Sequence, residues 1–380
     1  MTDQTNDMIN SRNLISKLLN IVLINLFALV FLLHFFSEFK IYSISIDKWA
    51  FMLFTSLSML LYRKEMLHIL RNTPLKYLTY FGIVVSMVNT SYYFYFKDIN
   101  FLLNTCVIGG LMFFSFGAFR FLTINWDLAS NIIASMSLLG IVLTFFGCFF
   151  YEKTAFFNNL NQVTRAVLFF GCIYIITNQN IGSWRKEIIS LIAIFVSLIL
   201  SFYLLRRAAI ISSLFLFFIY IYMFLKSSVN ASRYIKYFIT LISILGIIYI
   251  GLNFHILLDR FMSDGPGSTF SGRGLTRIIE DTQYLIYGAG DGKLDRFELS
   301  ANDVVEPHAT LLYVWFTFGI CGILSYCWYY YQSLRNLKFE NLVFFIPIFI
   351  HSLFHNDIRN VYLLVLPLLV LTYSRKCNQA

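Results

Sequence analysis

The sequence predicts an all-α fold, a polytopic transmembrane helix bundle of about 12 spans. The chain of 380 residues is 58% hydrophobic and 13% charged, which is about half the charged share of a soluble domain. Twelve apolar segments, some of them short, approach the roughly 20 residues that a helix needs to cross a bilayer. A single long polar segment, 254–307, interrupts them. The sequence therefore predicts an integral membrane protein with one large extramembrane insert.

The predicted spans follow one another through short connections, and the insert falls between the ninth and the tenth. The spans are 14–36, 44–62, 76–95, 99–119, 128–150, 162–178, 187–205, 208–225, 235–253, 309–331, 341–354 and 360–373. The chain then divides into a tail (1–13), nine helices (14–253), the insert (254–307), three helices (308–374) and a second tail (375–380).

The distribution of basic residues orients this bundle. The net charge is +9, and most of the basic residues lie in short connections at the ends of spans. If the N-terminus is inside, the inner connections and tails hold 16 Lys and Arg, against 8 in the short outer connections. Because cytoplasmic loops carry the excess of Lys and Arg, both tails are predicted to be cytoplasmic and the insert to lie outside. This charge indicates topology rather than nucleic-acid binding.

Four arginines lie at the predicted outer boundary, where basic residues are disfavoured: Arg165, Arg206, Arg207 and Arg359. Arg206 and Arg207 form the tip of a predicted helical hairpin. Guanidinium groups bind phosphate bidentately and stay charged, so these residues indicate an anion-binding site. Because adjacent helical residues point about 100° apart, only one of the pair is expected to face it. The alternative is that the side chains extend to lipid headgroups.

A helical stripe of apolar residues in the insert predicts an amphipathic helix at the outer membrane surface. The stripe consists of Leu275, Ile278, Ile279, Thr282 and Ile286. Arg273 and Arg277 are four residues apart on another face, so both guanidinium groups point the same way. They are further candidates for binding an anion. The alternative is pairing with carboxylates of the insert, which holds nine acidic and five basic residues.

His308 follows Pro307, a residue favoured in the first turn of a helix, and is predicted to head the tenth span. The helix dipole disfavours imidazolium there, and a neutral imidazole can act as a general base. The alternative is a helix-start histidine without a catalytic role. Gly288-Ala289-Gly290-Asp291-Gly292 could offer backbone amides to phosphate. It lacks the Lys-Ser/Thr of a P-loop, however, and a turn is the commoner structure for such a sequence.

In this order, the motifs resemble those of the bacterial O-antigen polymerase and ligase superfamily of polytopic glycan transferases. The matched elements are Arg206-Arg207-Ala208, Ser271-Gly272-Arg273, Gly288-Ala289-Gly290, and His308 followed by Gly319-Ile320-Cys321-Gly322-Ile323. Asn159-Leu160-Asn161 ahead of Arg165 is similar to the family's Asn-Pro-Asn element without its proline. Ala309 stands where many members carry Asn. The resemblance covers roughly residues 155–330.

The resemblance implies a multi-pass enzyme of the bacterial inner membrane whose active site faces the periplasm. The donor would be a saccharide linked to undecaprenyl diphosphate, and neither a cofactor nor a metal would be needed. Membrane lipids and a chain-length regulator are the other candidate partners. His308 would activate the acceptor hydroxyl, and Arg273 would stabilise the charge of the leaving diphosphate. The implied substrate-binding residues are Arg206, Arg207, Arg277, Arg165, Asn161 and Arg359.

Two activities within this superfamily use the same donor. A polymerase transfers the glycan to a lipid-linked repeat unit, whereas a ligase transfers it to lipid A–core. The modest insert favours the polymerase. A flippase for lipid-linked oligosaccharides is a third alternative, but a flippase is expected to carry internal repeats and no large one-sided insert.

Overall fold

The computed structural model describes residues 18–30, 32, 40–41, 44–150, 160–178, 184–203, 207–226, 281–292, 309–335, 337, 345–354 and 361–377, with scattered helical residues between 237 and 255. Over these residues the protein is helical apart from one small β-hairpin, so the predicted all-α class is confirmed.

The hairpin strands β1 (Lys40–Ile41) and β2 (Ile44–Ser45) pair antiparallel. The helices are α1 (Leu18–Val30), α2 (Ile46–Tyr62), α3 (Met66–Asn72), α4 (Leu75–Phe96), α5 (Asn100–Phe150), α6 (Leu160–Asn178), α7 (Trp184–Tyr203), α8 (Arg207–Lys226), α9 (Tyr284–Tyr287), α10 (Thr310–Leu334), α11 (Ile346–Phe354) and α12 (Val361–Cys377). Short described turns join α2 to α3, α3 to α4 and α4 to α5.

Two helices in the described part of the chain are long and apolar enough to span a membrane, which suggests membrane association. They are Asn100–Cys148 within α5 and Thr310–Leu334, which is α10. Several other predicted spans coincide with shorter apolar helices, among them α7 and α8. The count of 12 spans stays a prediction.

Helix α5 covers two predicted spans, 99–119 and 128–150, and the loop expected between them is replaced by a kink. The backbone leaves helical geometry at Asn125, with φ −116° and ψ 30°. Each half on either side of Asn125 has 25 residues (100–124 and 126–150). At 1.5 Å per residue, each half is about 37 Å long, enough for one crossing of a hydrocarbon core about 30 Å thick.

Helix α4 packs antiparallel to both α5 and α10. The contacts run in reverse order along the helices: Asn89–Thr105 and Gly82–Met112 between α4 and α5, and Phe81–Phe318 and Tyr77–Trp328 between α4 and α10. Helix α2 runs parallel to α5, since Phe51 approaches Gly110 and Ser58 approaches Gly117. Helices α4, α5 and α10 build the part of the bundle that contacts residues 288–292 of the insert.

Large apolar side chains cover outward faces of the helices as well as their interfaces. Leu60, Met87 and Leu324 are 68%, 66% and 62% exposed. Soluble monomers rarely expose large continuous apolar patches. These faces therefore require contact with lipid or with another protein chain.

Several hydroxyl groups inside the helices are satisfied by their own helix. Thr79, Ser115 and Thr144 each donate to the carbonyl four residues earlier, at 2.7–3.1 Å. Such internal bonds satisfy polar side chains in apolar surroundings, where water is not present to do so.

We expect Gly117→Leu to destabilise the protein and Gly109→Leu, in the same helix, to leave it stable. A Cβ at residue 117 would lie 2.7 Å from the Cβ of Ser58, so α2 and α5 would have to separate, whereas a Cβ at residue 109 meets nothing within 4 Å. Overpacking costs about 1–3 kcal/mol. Thermal unfolding of the purified protein in detergent measures the difference, and equal melting temperatures would contradict this packing.

Candidate functional site

The predicted site residues fall largely outside the described residues. His308, Arg273, Arg277, Arg206 and Arg359 all lie outside them. The structure describes the helical backbone of Asn161, Arg165 and Arg207 but not their side chains. The roles of these residues therefore remain predictions, while the backbone around several of them can be located.

The backbones of Asn161, Arg165 and Arg207 lie at the same end of three packed helices. Helices α6 and α7 are antiparallel, because the five residues between them are too few to return along α6, and Ser197 of α7 reaches Val167 O of α6 at 3.4 Å. Helices α7 and α8 form the predicted hairpin, closed by a 2.9 Å hydrogen bond between the hydroxyls of Ser201 and Ser213. The start of α6, the end of α7 and the start of α8 consequently lie at the same end of this group of helices.

Helix α10 begins at Thr310, two residues beyond His308. Ala309 is extended, with φ −108° and ψ 127°, so the helix does not start at Pro307 as predicted. The span 309–331 was predicted as one uninterrupted helix, but α10 has a break. Gly319 leaves helical geometry, with φ 67° and ψ −168°.

Ala289 and Gly290 of the insert fill this break. In an intact helix the carbonyls of Phe316 and Thr317 would accept from the amides four residues later, and the break at Gly319 separates those pairs. Instead, Phe316 O accepts from Ala289 N and Thr317 O accepts from Gly290 N, both at 2.8 Å. We call residues 288–292, together with residues 316–319, the loop–helix junction.

The junction depends on two glycines that face each other. Gly288 has φ 84° and Gly319 has φ 67°, a region that favours glycine. A Cβ on Gly288 would lie 2.6 Å from Thr317 O, and a Cβ on Gly319 would lie 2.8 Å from Gly288 N. All of these contacts are with backbone atoms, which cannot move aside as a flexible side chain can. The two chain segments therefore approach backbone to backbone.

Polar side chains from α4 and α5 hold the other side of the loop. Asn104 Nδ2 donates to Asp291 O at 2.7 Å and to Asp291 Oδ1 at 3.2 Å. Asp291 N donates to Asn89 Oδ1 at 2.7 Å, and the Tyr92 hydroxyl donates to Gly288 O at 2.8 Å. Asp291 is 3% exposed and Asn89 is fully buried. Two side chains of α4 and one of α5 thus bind the loop close to residues 97–99, which join these helices.

Aromatic rings complete the contact. Tyr92 stacks on Phe96 and on Phe101, with ring centroids 5.9 and 5.7 Å apart. A Cβ on Gly290 would lie 2.7 Å from the Tyr92 ring, and Gly292 sits directly against the Phe101 ring. Side chains at these two positions would push the loop off the aromatic surface.

The amide-cradle interpretation of residues 288–292 is wrong for the first four residues. The amides of Gly288, Ala289, Gly290 and Asp291 donate to Tyr284 O, Phe316 O, Thr317 O and Asn89 Oδ1. Each donor is committed to a protein acceptor and is not turned toward a ligand. The turn interpretation of this motif agrees with the structure.

Sequence reasoning missed Asn89, Asn104 and the break at Gly319. The available signal was weak: both asparagines stand in apolar spans, where a polar amide needs a buried partner. Gly319 belongs to one of the matched motifs, but the motif carries no information on its backbone geometry. The predicted amphipathic helix lies mostly outside the described residues, apart from α9, whose Ile286 is 60% exposed.

The chain matches no protein-family model, and no curated protein sequence matches it significantly. The resemblance to polytopic glycan transferases accordingly rests on the residues of the motifs and on their order. Two of those motifs, Gly288-Ala289-Gly290 and the one that starts at Gly319, contact each other in the structure.

We expect Gly288→Ala and Gly319→Ala each to destabilise the purified protein by about 2 kcal/mol or more, because the new Cβ meets backbone at a positive φ. The matched control is Gly251→Ala, at a helical residue with nothing within 4 Å of its Cβ. Melting temperatures in detergent compare the three variants. A junction variant as stable as Gly251→Ala would contradict the close approach.

Proposed function

We propose that this protein is a membrane glycosyltransferase of the O-antigen polymerase type. It would transfer a glycan from undecaprenyl diphosphate to a lipid-linked repeat unit on the periplasmic face of the bacterial inner membrane. The two span-length helices and the exposed apolar faces of the bundle support a membrane location.

The observation that carries the proposal is the loop–helix junction. Residues 284–290 follow the segment that holds Arg273 and Arg277, and α10 follows His308. The junction joins these two segments through backbone hydrogen bonds of 2.8 Å. An enzyme of this type requires its phosphate-binding arginines and its base to act on one substrate, so the two segments must be held together.

The proposed reaction exchanges one glycosidic bond for another. The acceptor hydroxyl attacks the anomeric carbon of the donor, and the bond from that carbon to the diphosphate oxygen breaks. His308 takes the hydroxyl proton as a general base. Arg273, with Arg206 or Arg207, stabilises the negative charge of the departing diphosphate, a role that metal ions fill in other transferases.

A strain that lacks the gene is expected to carry single repeat units capped on lipid A–core, because ligation continues without polymerisation. Separation of the surface glycan by gel electrophoresis gives the result. Long lipid-linked chains with bare core would instead indicate a ligase. Loss of all outward-facing lipid-linked repeat units would indicate a flippase.

Arg206→Ala and Arg273→Ala are expected to abolish long-chain glycan while the protein remains in the membrane. Arg273→Lys should restore little, because lysine cannot bind phosphate with a bidentate fork. The control is Arg335→Ala, which removes an arginine on the predicted inner side. Glycan banding in the deletion strain complemented with each variant is the measurement. Unchanged banding in both alanine variants would rule out these assignments.

A further inference from the structure

We propose that helix α3 and the turns on either side of it bind the headgroups of anionic phospholipids at one surface of the membrane. The cationic side chains of this region, which we call the α3 surface, are Arg63, Lys64, Arg71 and Lys76. The proposal requires that the helix bundle is embedded in a membrane, and it does not depend on glycan transfer.

Helix α3 connects the end of α2 with the start of α4. The Glu65 amide donates at 2.9 Å to the carbonyl of Tyr62, the last residue of α2. At the other end of α3, the Thr73 hydroxyl donates to Ile69 O at 2.7 Å and accepts from the Leu75 amide at 3.3 Å. Because α2 runs parallel to α5 and α4 runs antiparallel to it, the end of α2 and the start of α4 lie at the same end of the bundle. The α3 surface covers this end.

Helix α3 presents apolar side chains in two directions. Ile69 is buried in the bundle, whereas Leu67 is exposed. Residues two apart in an α-helix point about 160° away from each other, so Leu67 faces away from the bundle. An outward-facing leucine among charged residues is typical of a helix that lies at a membrane surface with its apolar side chains among the acyl chains.

The α3 surface carries a positive charge that the described chain does not compensate. Residues 63–76 contain two Arg, two Lys and one acidic residue, Glu65. Glu65 forms an ion pair with Arg120 of α5, so its charge is already neutralised. The exposed cations without a carboxylate partner among the described residues are Arg63, Lys64 and Arg71. Their charge is available to anions of the membrane.

Aromatic side chains indicate that this end of the bundle lies at a membrane–water boundary. Trp328 of α10 contacts Tyr77 of α4 and Tyr331, with ring centroids 6.1 and 5.5 Å apart. Trp328, Tyr331 and Tyr80 are each about half exposed. Trp and Tyr are enriched at the level of the lipid headgroups, because their rings are apolar and carry one polar group. Lys76 lies at the same level, with its Nζ 4.8 Å from the centroid of the Tyr77 ring.

The exposed face of α4 has the length and the composition of a membrane crossing. Tyr95 is exposed and lies 18 residues after Tyr77, which corresponds to about 27 Å of helix. The exposed large apolar side chains between these tyrosine-rich ends include Ile83 and Met87. A hydrocarbon core is about 30 Å thick. Helix α4 therefore places the α3 surface at one boundary of the membrane and Lys97 at the other.

Anionic phospholipid fits these features together. Its phosphate accepts hydrogen bonds from Arg and Lys, and its acyl chains surround an outward-facing leucine. The negative surface of a leaflet attracts cations within about 8 Å of it at physiological salt. A nucleic acid or a soluble acidic protein would match the charges but would leave Leu67 and the exposed aromatic rings in water. The α3 surface thus favours lipid over these partners.

The test measures which lipid surrounds Trp328 in the full-length protein reconstituted in nanodiscs. Phosphatidylcholine is the host lipid, and phosphatidylglycerol or phosphatidylcholine with an acyl chain brominated near the headgroup quenches tryptophan fluorescence. The quenching that is lost in Trp328→Phe reports lipid at the α3 surface, because Trp328 contacts Tyr77 beside Lys76. Phosphatidylglycerol should be preferred at least about tenfold at low salt, since each cation contributes up to about fivefold. The preference should fall as salt is added.

Two double variants that lose the same charge distinguish this surface from general attraction. Arg71→Gln with Lys76→Gln should lower the preference for phosphatidylglycerol to below about threefold. Lys48→Gln with Lys97→Gln should leave the preference within about twofold of the wild type, because charges at the other end of the helices are screened beyond about 8 Å. Both of these lysines are exposed, Lys48 in the first turn of α2 and Lys97 at the end of α4.

A charge-conserving pair shows whether charge is the property that matters. Arg71→Lys with Lys76→Arg should keep the preference of the wild type. A loss in this pair as large as in the glutamine pair would overturn the inference. Quenching by brominated phosphatidylcholine should be the same in the wild type and in every double variant, since Trp328 then still faces lipid in a folded bundle.

Three further results would overturn the inference, and they differ in what they imply for the proposed function. A preference in Arg71→Gln with Lys76→Gln within about twofold of the wild type would assign these cations to another partner, such as an acidic protein. No preference for phosphatidylglycerol in the wild type would leave the proposed glycosyltransferase unaffected. A Trp328 that neither brominated lipid quenches would also remove the membrane location on which the proposed function depends.

Discussion

Two peptide backbones that meet without intervening side chains determine the arrangement of this protein. The break at Gly319 leaves two carbonyls of α10 without their helical partners, and buried carbonyls without partners are costly in apolar surroundings. The amides of Ala289 and Gly290 supply the missing donors. The loop thus supplies donors for the free carbonyls of the helix, and the helix supplies acceptors for the amides of the loop. Gly288 and Gly319 are required because any Cβ at this contact meets backbone atoms.

This exchange of partners places constraints on the rest of the bundle. The loop must reach α10, so α4 and α5 must offer polar side chains where it passes, and Asn89, Asn104 and Tyr92 do so. The insert is consequently connected to the helices by more than its two chain ends. Its last described part is built into the helices, between the tip of α4–α5 and the middle of α10. Any chemistry carried by the insert is therefore coupled to the packing of α4, α5 and α10.

Hydropathy and helix-end signals predicted the fold class and many helix positions well. The span predicted at 76–95 is α4 at Leu75–Phe96, and the predicted hairpin 201–213 corresponds to α7 and α8, whose Ser201 and Ser213 hydroxyls are hydrogen-bonded. The break at Gly319 was missed because hydropathy reports burial and carries no information on φ. The kink at Asn125 was mistaken for a loop because polar residues at span ends resemble those in a turn. Asn104 and Asp291 could not be paired from the sequence, since 187 residues separate them. The arginines and His308 remain predictions.

The long separation between these partners has a consequence for the order of assembly. Asn89 lies 202 residues before Asp291, so the ribosome completes α4 and α5 well before the loop emerges. At about 5–20 residues per second, the 141 residues from the end of α5 at Phe150 to Asp291 take roughly 7–28 s. During this time Asn104 and Asn89 lack the Asp291 groups that they bind in the folded protein, although Asn89 can already donate to Thr105 Oγ1 of α5. The contacts of α4 and α5 with the loop can therefore form only late in synthesis, shortly before α10, α11 and α12 complete the chain.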